Sequence, residues 1–427
     1  GQLDEAQVDF CRQYFANKIQ PELVPIMLDD NSPMPELNEA SIYLAVRLQL
    51  EESVKFALIE IPTSRLQRFV RIPQKGKRRG KVLIVLENII RVCLEEVFRG
   101  IFPLKSAEAY TIKLTRDAEL ELGEEITESF FERMSAGLKR RAKGDPVRFV
   151  YDEAMPDDLL SLLTRRMGMG KLDAVIPGGR YHNSKDFMGF PNLGPAYLEL
   201  KPMSVLTLPE VDDDPNIFSA IRDRDVLLYY PYHSFTYVER MLKTAAIDPA
   251  VKSIKISLYR VASNSHVVDA LLNAVANHKQ VTAIVELQAR FDEQTNIELA
   301  TRLTDGGVDV TFGVPGLKVH SKLILIGRQE GSVVKYYSHI GTGNFNEKTA
   351  RVYTDFSLLT YDQEIGDEVA KAFDFIQYTY RRHEFNQLAV SPLNSRQRII
   401  DCIQVEMDNH AKGKPAGVML KCNNLVD

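Results

Sequence analysis

From Asp225 onward the chain alternates strand-type and helix-type segments, and this rhythm constrains the fold more than any other feature. Val226–Tyr230, Val251–Tyr259, Val281–Leu287 and Val308–Phe312 read as strands. Between them Phe235–Ala246, Ser265–His278 and Asn296–Asp305 carry apolar residues at helical spacing. Lys318–Ile326, Val334–Ile340 and Asp355–Leu359 read as further strands, and Ile365–Tyr378 as a helix. Strands that are Val/Ile-rich throughout need cover on both faces, so this half predicts an α/β sheet layered by helices.

The first half has no such rhythm. Asp4–Ile19 predicts a helix, Ile42–Val46 and Lys55–Ile61 strands. A basic turn over residues 74–81 leads into a strand and then a helix at about Glu87–Phe98. Tyr110–Leu114 and Pro146–Tyr151 predict strands, Glu124–Lys143 a charged helix and Pro156–Arg166 another helix. That order fits an α+β domain. The acidic stretch Leu208–Asp214, closed by Pro215, reads as a linker. The expected organisation is an α+β head and oligomerisation domain over 1–206, an α/β catalytic domain over 207–390, and a connecting helix (Asn394–Asn409) with the start of a truncated last domain over 391–427. Both ends read as cut: the chain opens at Gly1 and stops just past Val418-Met419-Leu420, which reads as the opening of a strand.

Several function classes drop out on composition. Lys plus Arg number 53 against 58 Asp plus Glu, a net charge of −5, so bulk charge gives no reason to expect nucleic acid. A polyanionic ligand would need a local cationic pocket. No apolar run approaches the roughly 20 residues of a membrane helix, and no transmembrane segment is expected. The four cysteines are scattered without a CxxC pair and read as reduced cytosolic thiols. The expected location is cytoplasmic, with peripheral attachment at the inner membrane as a secondary expectation.

The chemistry-bearing cluster lies between Gly316 and Asp355. His320 and Lys322 stand two apart in an apparent strand, which would put both on one face. An imidazole and an ammonium suit a phosphoryl group, nitrogen as nucleophile and cation as charge stabiliser. Taken alone, His-x-Lys is what any half-exposed strand can show. Beyond it, Gly341-Thr342-Gly343-Asn344 offers a tight turn with Thr342 and Asn344 able to bond phosphate oxygens. Asp355, eleven residues past Asn344 (355 − 344), could hold the far nitrogen of His320 and fix its tautomer. Arg166–Lys171 invites a P-loop interpretation, but Arg165 stands where a glycine is needed and Leu172 where Ser or Thr is needed. The basic run at 75–81 reads as a solvated hairpin tip, His233 and His182 as either structural or site-bordering, and His266, His278, His383 and His410 show no metal spacing.

His-x-Lys, Gly-x-Gly-Asn and the later Asp355 resemble the phospholipase D superfamily half-site, with one departure. The superfamily's aspartate would fall on Gly327, which argues against a phosphodiesterase or nuclease. Longer stretches, among them Ser257–Arg260, Val285–Glu293, Gly316–His320, His339–Arg351, Pro177–Asn183 and Val226–His233, resemble the histidine-phosphorylated class of the bacterial polyphosphate kinase family. That resemblance covers the whole chain. It implies a phospholipase D-like α/β domain, and reversible transfer of the ATP γ-phosphate to inorganic polyphosphate through a phosphohistidine on His320. It further implies ATP/ADP and polyphosphate as partners, Mg²⁺ as cofactor with Arg260 and Arg290 at its site, Tyr353 against the nucleotide, and a homodimer or tetramer. A guanidinium carries only donors, so these arginines are expected to grip phosphate oxygens that the metal bridges. The alternatives are a phospholipase D-like phosphodiesterase and an inactive assembly module. The resemblance also implies an amino-terminal domain before this chain and a complete last domain after it. The 427 residues alone are therefore expected to show weak or absent polyphosphate synthesis; a robust rate in a synthesis assay would contradict this.

Overall fold

The computed structural model describes residues 3–29, 34–39, 41–73, 81–116, 146–170, 174–201, 203–262, 264–287, 289, 292–314 and 317–420. They form two compact units that part at residue 201. The basic run at 74–80 and the charged helix expected at 124–143 lie outside the described residues.

The first unit is α+β. Its main sheet has strands β1 (Ile26–Leu28), β2 (Tyr43–Leu50), β3 (Val54–Glu60), β6 (Leu104–Arg116), β7 (Pro146–Asp152) and β8 (Ala174–Gly178) in the order β1-β3-β2-β6-β7-β8. Only β7 and β8 run parallel. β4 (Phe69–Ile72) and β5 (Val82–Val85) pair as a separate ribbon. Central β2 shows why no polar alternation appears in its sequence. Leu44, Val46 and Leu48 enter one core with Phe15, Ile19 and Ile89, while Tyr43 and Ala45 enter the other with Phe149 and Leu159. The amino-terminal helix Glu5–Tyr14 starts at a capping box, in which Asp4 accepts from the Gln7 N–H and the Gln7 side chain returns the bond. The helix expected as one piece over 87–98 is two, Leu86–Val92 and Leu94–Phe98, because Cys93 leaves helical backbone geometry.

The second unit carries the α/β rhythm. Its sheet is ordered β12-β11-β10-β13-β14-β15-β9. β10 (Val251–Leu258), β11 (Gln280–Val285) and β12 (Asp309–Phe312) are parallel. β13 (Lys322–Glu330), β14 (Val333–Gly341), β15 (Phe356–Thr360) and β9 (Val226–Tyr229) continue it antiparallel. Leu323 and Leu325 pack with Val369 and Phe373 of helix Gln363–Gln377. Ile324 and Ile326, on the opposite pleat, are also fully buried, so β13 is covered on both faces. Helix Ser395–Ala411 buries no residue. Val418, Met419 and Leu420, expected to open a strand, are exposed and unpaired among the described residues; a strand exists only where a neighbour takes its hydrogen bonds.

Gly366 lies where helix Gln363–Gln377 approaches β14, and a Cβ there would stand 2.7 Å from the Tyr336 Cβ. Gly366→Ala therefore destabilises the chain by about 1–3 kcal/mol through overpacking, although alanine favours a helix by about 1 kcal/mol. Chemical denaturation reads the sign; a stabilised variant would show that the helix can shift.

Candidate active site

Strand register brings the candidate residues to one end of the second sheet. Lys322 pairs with Gly341, and Gly341 with Ser357, so the residues before β13, after β14 and before β15 emerge together. Leu258 pairs with Val285 at the carboxyl ends of β10 and β11, from which Tyr259-Arg260 and Glu286 continue. Ile256 pairs with Ile324, which sets this same end level with the start of β13. Ligands of open α/β sheets bind in such a position.

The strand begins at Lys322 rather than Lys318, so pleat alternation does not align His320 with Lys322. Side chains replace ladder bonds in the segment that leads in. The buried Glu286 carboxylate accepts from the Val319 N–H at 2.7 Å. Ser257 Oγ donates to the Ser321 carbonyl at 2.9 Å and accepts from the Leu323 N–H at 3.0 Å. Lys322 Nζ donates to the His320 carbonyl. The two side chains meet instead around Tyr259. The exposed His320 ring packs edge-on against it, centroids 4.7 Å apart at 78°. Lys322 Nζ and the Arg260 guanidinium lie 5.0 and 5.1 Å from the same ring.

Electrostatics follow from this crowding. Partial burial of the imidazole, then the charges of Lys322 and Arg260, hold His320 below the usual 6.5. Its ring is thus neutral near pH 7, with a lone pair available. Burial, opposed by Asp355 and reinforced by Arg260, lowers Lys322 to about 8. One layer down, His339 is fully enclosed and lowered to about 4 by burial; its Nε2 contacts Ser357 Oγ at 2.8 Å. A Cβ on Gly341 would stand 2.7 Å from the His339 ring, which explains glycine at the start of the loop.

The loop after β14 differs from expectation in one respect. Asp355 accepts from the Thr342 hydroxyl at 2.8 Å, and among the described residues no hydrogen bond joins it to the His320 ring. Thr342 Oγ1 also accepts from the Phe356 N–H at 2.9 Å, so Thr342 and Asp355 shape the loop together. Gly343 is required there, since a Cβ would stand 2.8 Å from Asp355 Oδ2. Asn344 keeps a buried amide oxygen without a partner. A buried polar group of this kind calls for a ligand or a turned amide.

Arg260 donates from Nε to Asp292. Arg290 and Gly316 lie outside the described residues. Tyr353 is 61% exposed, on the turn before β15. At Gly327 any side chain would meet Ser253 Oγ at 2.6 Å, so an aspartate at that position is excluded by packing as well as by sequence. His233 is structural in its contacts: Nδ1 accepts from the Tyr229 N–H at 2.9 Å. His182 keeps a buried, unpartnered Nε2 and is lowered by burial. Metal spacing was not visible around His266, but the fold brings Glu239, His266 and Glu347 within 4.8 Å. There Glu239 already holds Lys243 at 3.0 Å and His266 at 2.9 Å. Glu347 caps helix His266–Ala276 through the His266 N–H and Ser265 Oγ, anchoring the segment that follows Asn344. Sequence reasoning assigned no role to Tyr259 or Glu286. Both lie within the family-like stretches Ser257–Arg260 and Val285–Glu293, and the structure sets each immediately past a parallel strand.

The comparisons agree with one another. The family model described as polyphosphate kinase middle domain matches residues 6–190, and that described as polyphosphate kinase C-terminal domain 1 matches 216–382. Polyphosphate kinase from Vibrio parahaemolyticus is 50% identical over 428 residues, spanning 100% of this chain and 61% of that protein. Polyphosphate kinase from Escherichia coli K12 is 47% identical over 429 residues, spanning 100% and 62%. The crystal structure of polyphosphate kinase from Porphyromonas gingivalis superposes with a TM-score of 0.74 at 31% identity, covering 97% of this chain and 60% of that one. The chain thus spans about three-fifths of the length of these relatives. Among the described residues no helix is long and apolar enough to cross a membrane.

A buried ammonium lowered to about 8 makes anion affinity at this sheet end pH-dependent. With pyrophosphate as probe, calorimetric affinity falls as pH rises through that value, by about 10-fold or more when the charge is lost. Lys322→Arg, which stays charged, removes the added fall; an identical fall in both proteins would contradict the assignment.

Proposed function

The chain belongs to the polyphosphate kinase family, and from that membership we propose that it carries the phosphoryl-transfer site for reversible movement of the ATP γ-phosphate to inorganic polyphosphate, with His320 as nucleophile. The observation that carries the proposal is the exposed imidazole held neutral between Lys322 and Arg260 against Tyr259.

In this reading the unprotonated ring nitrogen of His320 attacks the γ-phosphorus in line. The N–P bond forms as the bond from phosphorus to the bridging oxygen breaks, and ADP leaves with the electron pair. The other ring nitrogen keeps its proton. A terminal oxygen of the polyphosphate chain then attacks the phosphohistidine and regenerates the imidazole. Lys322, mostly charged at neutral pH, and Arg260 stabilise the equatorial oxygens. Thr342 and Asp355 hold the loop so that the Asn344 amide can meet a phosphate oxygen. The fixed Val319 N–H on Glu286 sets where the imidazole stands. Tyr353, exposed beside this loop, is assigned to the nucleotide. Arg290 is assigned with Arg260 on family resemblance.

Mg²⁺ fits as an ion carried on the phosphates. Arg260 has only donors, one already given to Asp292, and offers no ligand atom. When bound, the ion would neutralise part of the triphosphate charge. The phosphodiesterase alternative is disfavoured by Gly327, where no carboxylate stands and none can be packed.

The test is one turnover of labelling. Incubated with [γ-³²P]ATP, the 427-residue chain is expected to acquire acid-labile, base-stable label. His320→Ala abolishes it, and Lys322→Met slows its appearance by about 10²–10³-fold. Label that persists in His320→Ala, or phosphodiester cleavage without ATP, would overturn the proposal.

A further inference from the structure

The first unit holds a cationic cavity that the proposed reaction leaves unused. Its volume is about 720 Å³, in the range of small-ligand sites, and Arg68, Arg91, Arg180, Asn88, Tyr181 and Phe187 are among its lining residues. Among the described residues no carboxylate lines it. Arg68 takes Glu87 at 2.6 Å and Asp186 at 2.9 Å, both through nearly buried guanidinium nitrogens. Glu108, Asp152 and Glu153 line a separate cavity of about 480 Å³ that also borders Arg91 and Arg180.

Arg91 is unusual for a largely enclosed guanidinium. Its partners are all neutral: the Ala109 carbonyl at 3.1 Å, Asn88 Oδ1 at 3.1 Å and Thr111 Oγ1 at 2.5 Å. The Thr111 hydroxyl donates in turn to the Arg180 carbonyl at 2.8 Å, which ties the two arginines to one point. Burial and the Arg180 charge together lower Arg91 to about 10, against the pull of Glu87 and Asp152. Neither Arg91 nor Arg180 has an ion pair with a described carboxylate. Asn88 Nδ2 donates to the Tyr181 oxygen at 2.9 Å, which leaves the Tyr181 O–H to donate outward. Arg91 thus sits largely enclosed among neutral acceptors, and the exposed Arg180 and Tyr181 line the same cavity beside it. Charged donors without a counterion are costly to enclose, and a multivalent anion is what removes the cost.

We infer that this cavity is a second anion site, taking an oligophosphate chain between Arg91, Arg180 and Tyr181. The identification of the occupant as a phosphate chain rests on the proposed reaction; the anion site itself does not. Such a site would hold a stretch of phosphate chain on the first unit through charged donors.

The chain contains no tryptophan, so Phe187→Trp supplies a single reporter inside the cavity wall. Tripolyphosphate is the probe. The expected result is a saturable fluorescence change whose midpoint is about tenfold or more weaker when Arg180→Gln is added, and unchanged when His320→Ala is added. Inorganic phosphate is expected to bind at least about tenfold less tightly than tripolyphosphate, as a site with several donors requires. The inference is overturned by no saturable change, by a change indifferent to Arg180→Gln, by one lost in His320→Ala, or by equal affinity for phosphate and tripolyphosphate. Should Phe187→Trp disturb the packing of that ring on Phe69, calorimetry with the unsubstituted chain and with Arg180→Gln alone makes the same comparison. Failure of the labelling reaction at His320 would leave this titration unaffected, so the two proposals fail separately.

Discussion

The Tyr259 ring is the surface on which the second unit's chemistry is assembled. One aromatic face and edge receive an imidazole, an ammonium and a guanidinium at 4.7–5.1 Å. Partial burial disfavours charge on the ring, the neighbouring cations add to that cost, and the weakest base among the three stays neutral. That base is His320. Burial, reinforced by the Arg260 charge and opposed by Asp355, lowers Lys322 in the same place. The sheet makes this possible by ending five strands at one level, so that residues 64 positions apart, such as Ser257 and Ser321, share hydrogen bonds.

Bulk charge and local charge are separate quantities in this chain. A net charge of −5 coexists with a cluster of cations around Tyr259 and another around Arg91 and Arg180. Acidic residues compensate single cations within these clusters, as Glu87 does for Arg68 and Asp292 for Arg260. Net charge governs long-range attraction, whereas affinity depends on donors within a few ångströms.

Much of the fold was legible because local pattern and final burial coincide. The apolar runs of β11 and β13 are largely buried on both faces, whereas β10 alternates, with Ile254, Ile256 and Leu258 buried and Lys252 exposed. The irregular order of the first half did correspond to an α+β unit, its sheet antiparallel except between β7 and β8. Positions decided by tertiary partners were less legible. The strand start moved from Lys318 to Lys322 because Glu286 and Ser257 bond the preceding segment, and neither is near it in sequence. Asp355 was expected on the His320 ring; spacing could indicate its strand but not that Thr342 would take its carboxylate. Tyr259 stood in plain view before Arg260, yet an aromatic after a strand is ordinarily core, and only the three-dimensional neighbours give it another meaning. His266 likewise had no visible partners, since Glu239 and Glu347 lie 27 and 81 residues away.

The central claim is that the His320 imidazole is kept neutral by partial burial and adjacent cations, and its titration measures this directly. Selective ¹³C-histidine labelling, with His320→Gln to assign the resonance among eight histidines, follows the ring through pH in the intact chain. The expected midpoint lies below 6.5 and moves upward in Lys322→Gln, where one of the two cations is gone. A midpoint at or above 6.5 that Lys322→Gln leaves in place would contradict the claim.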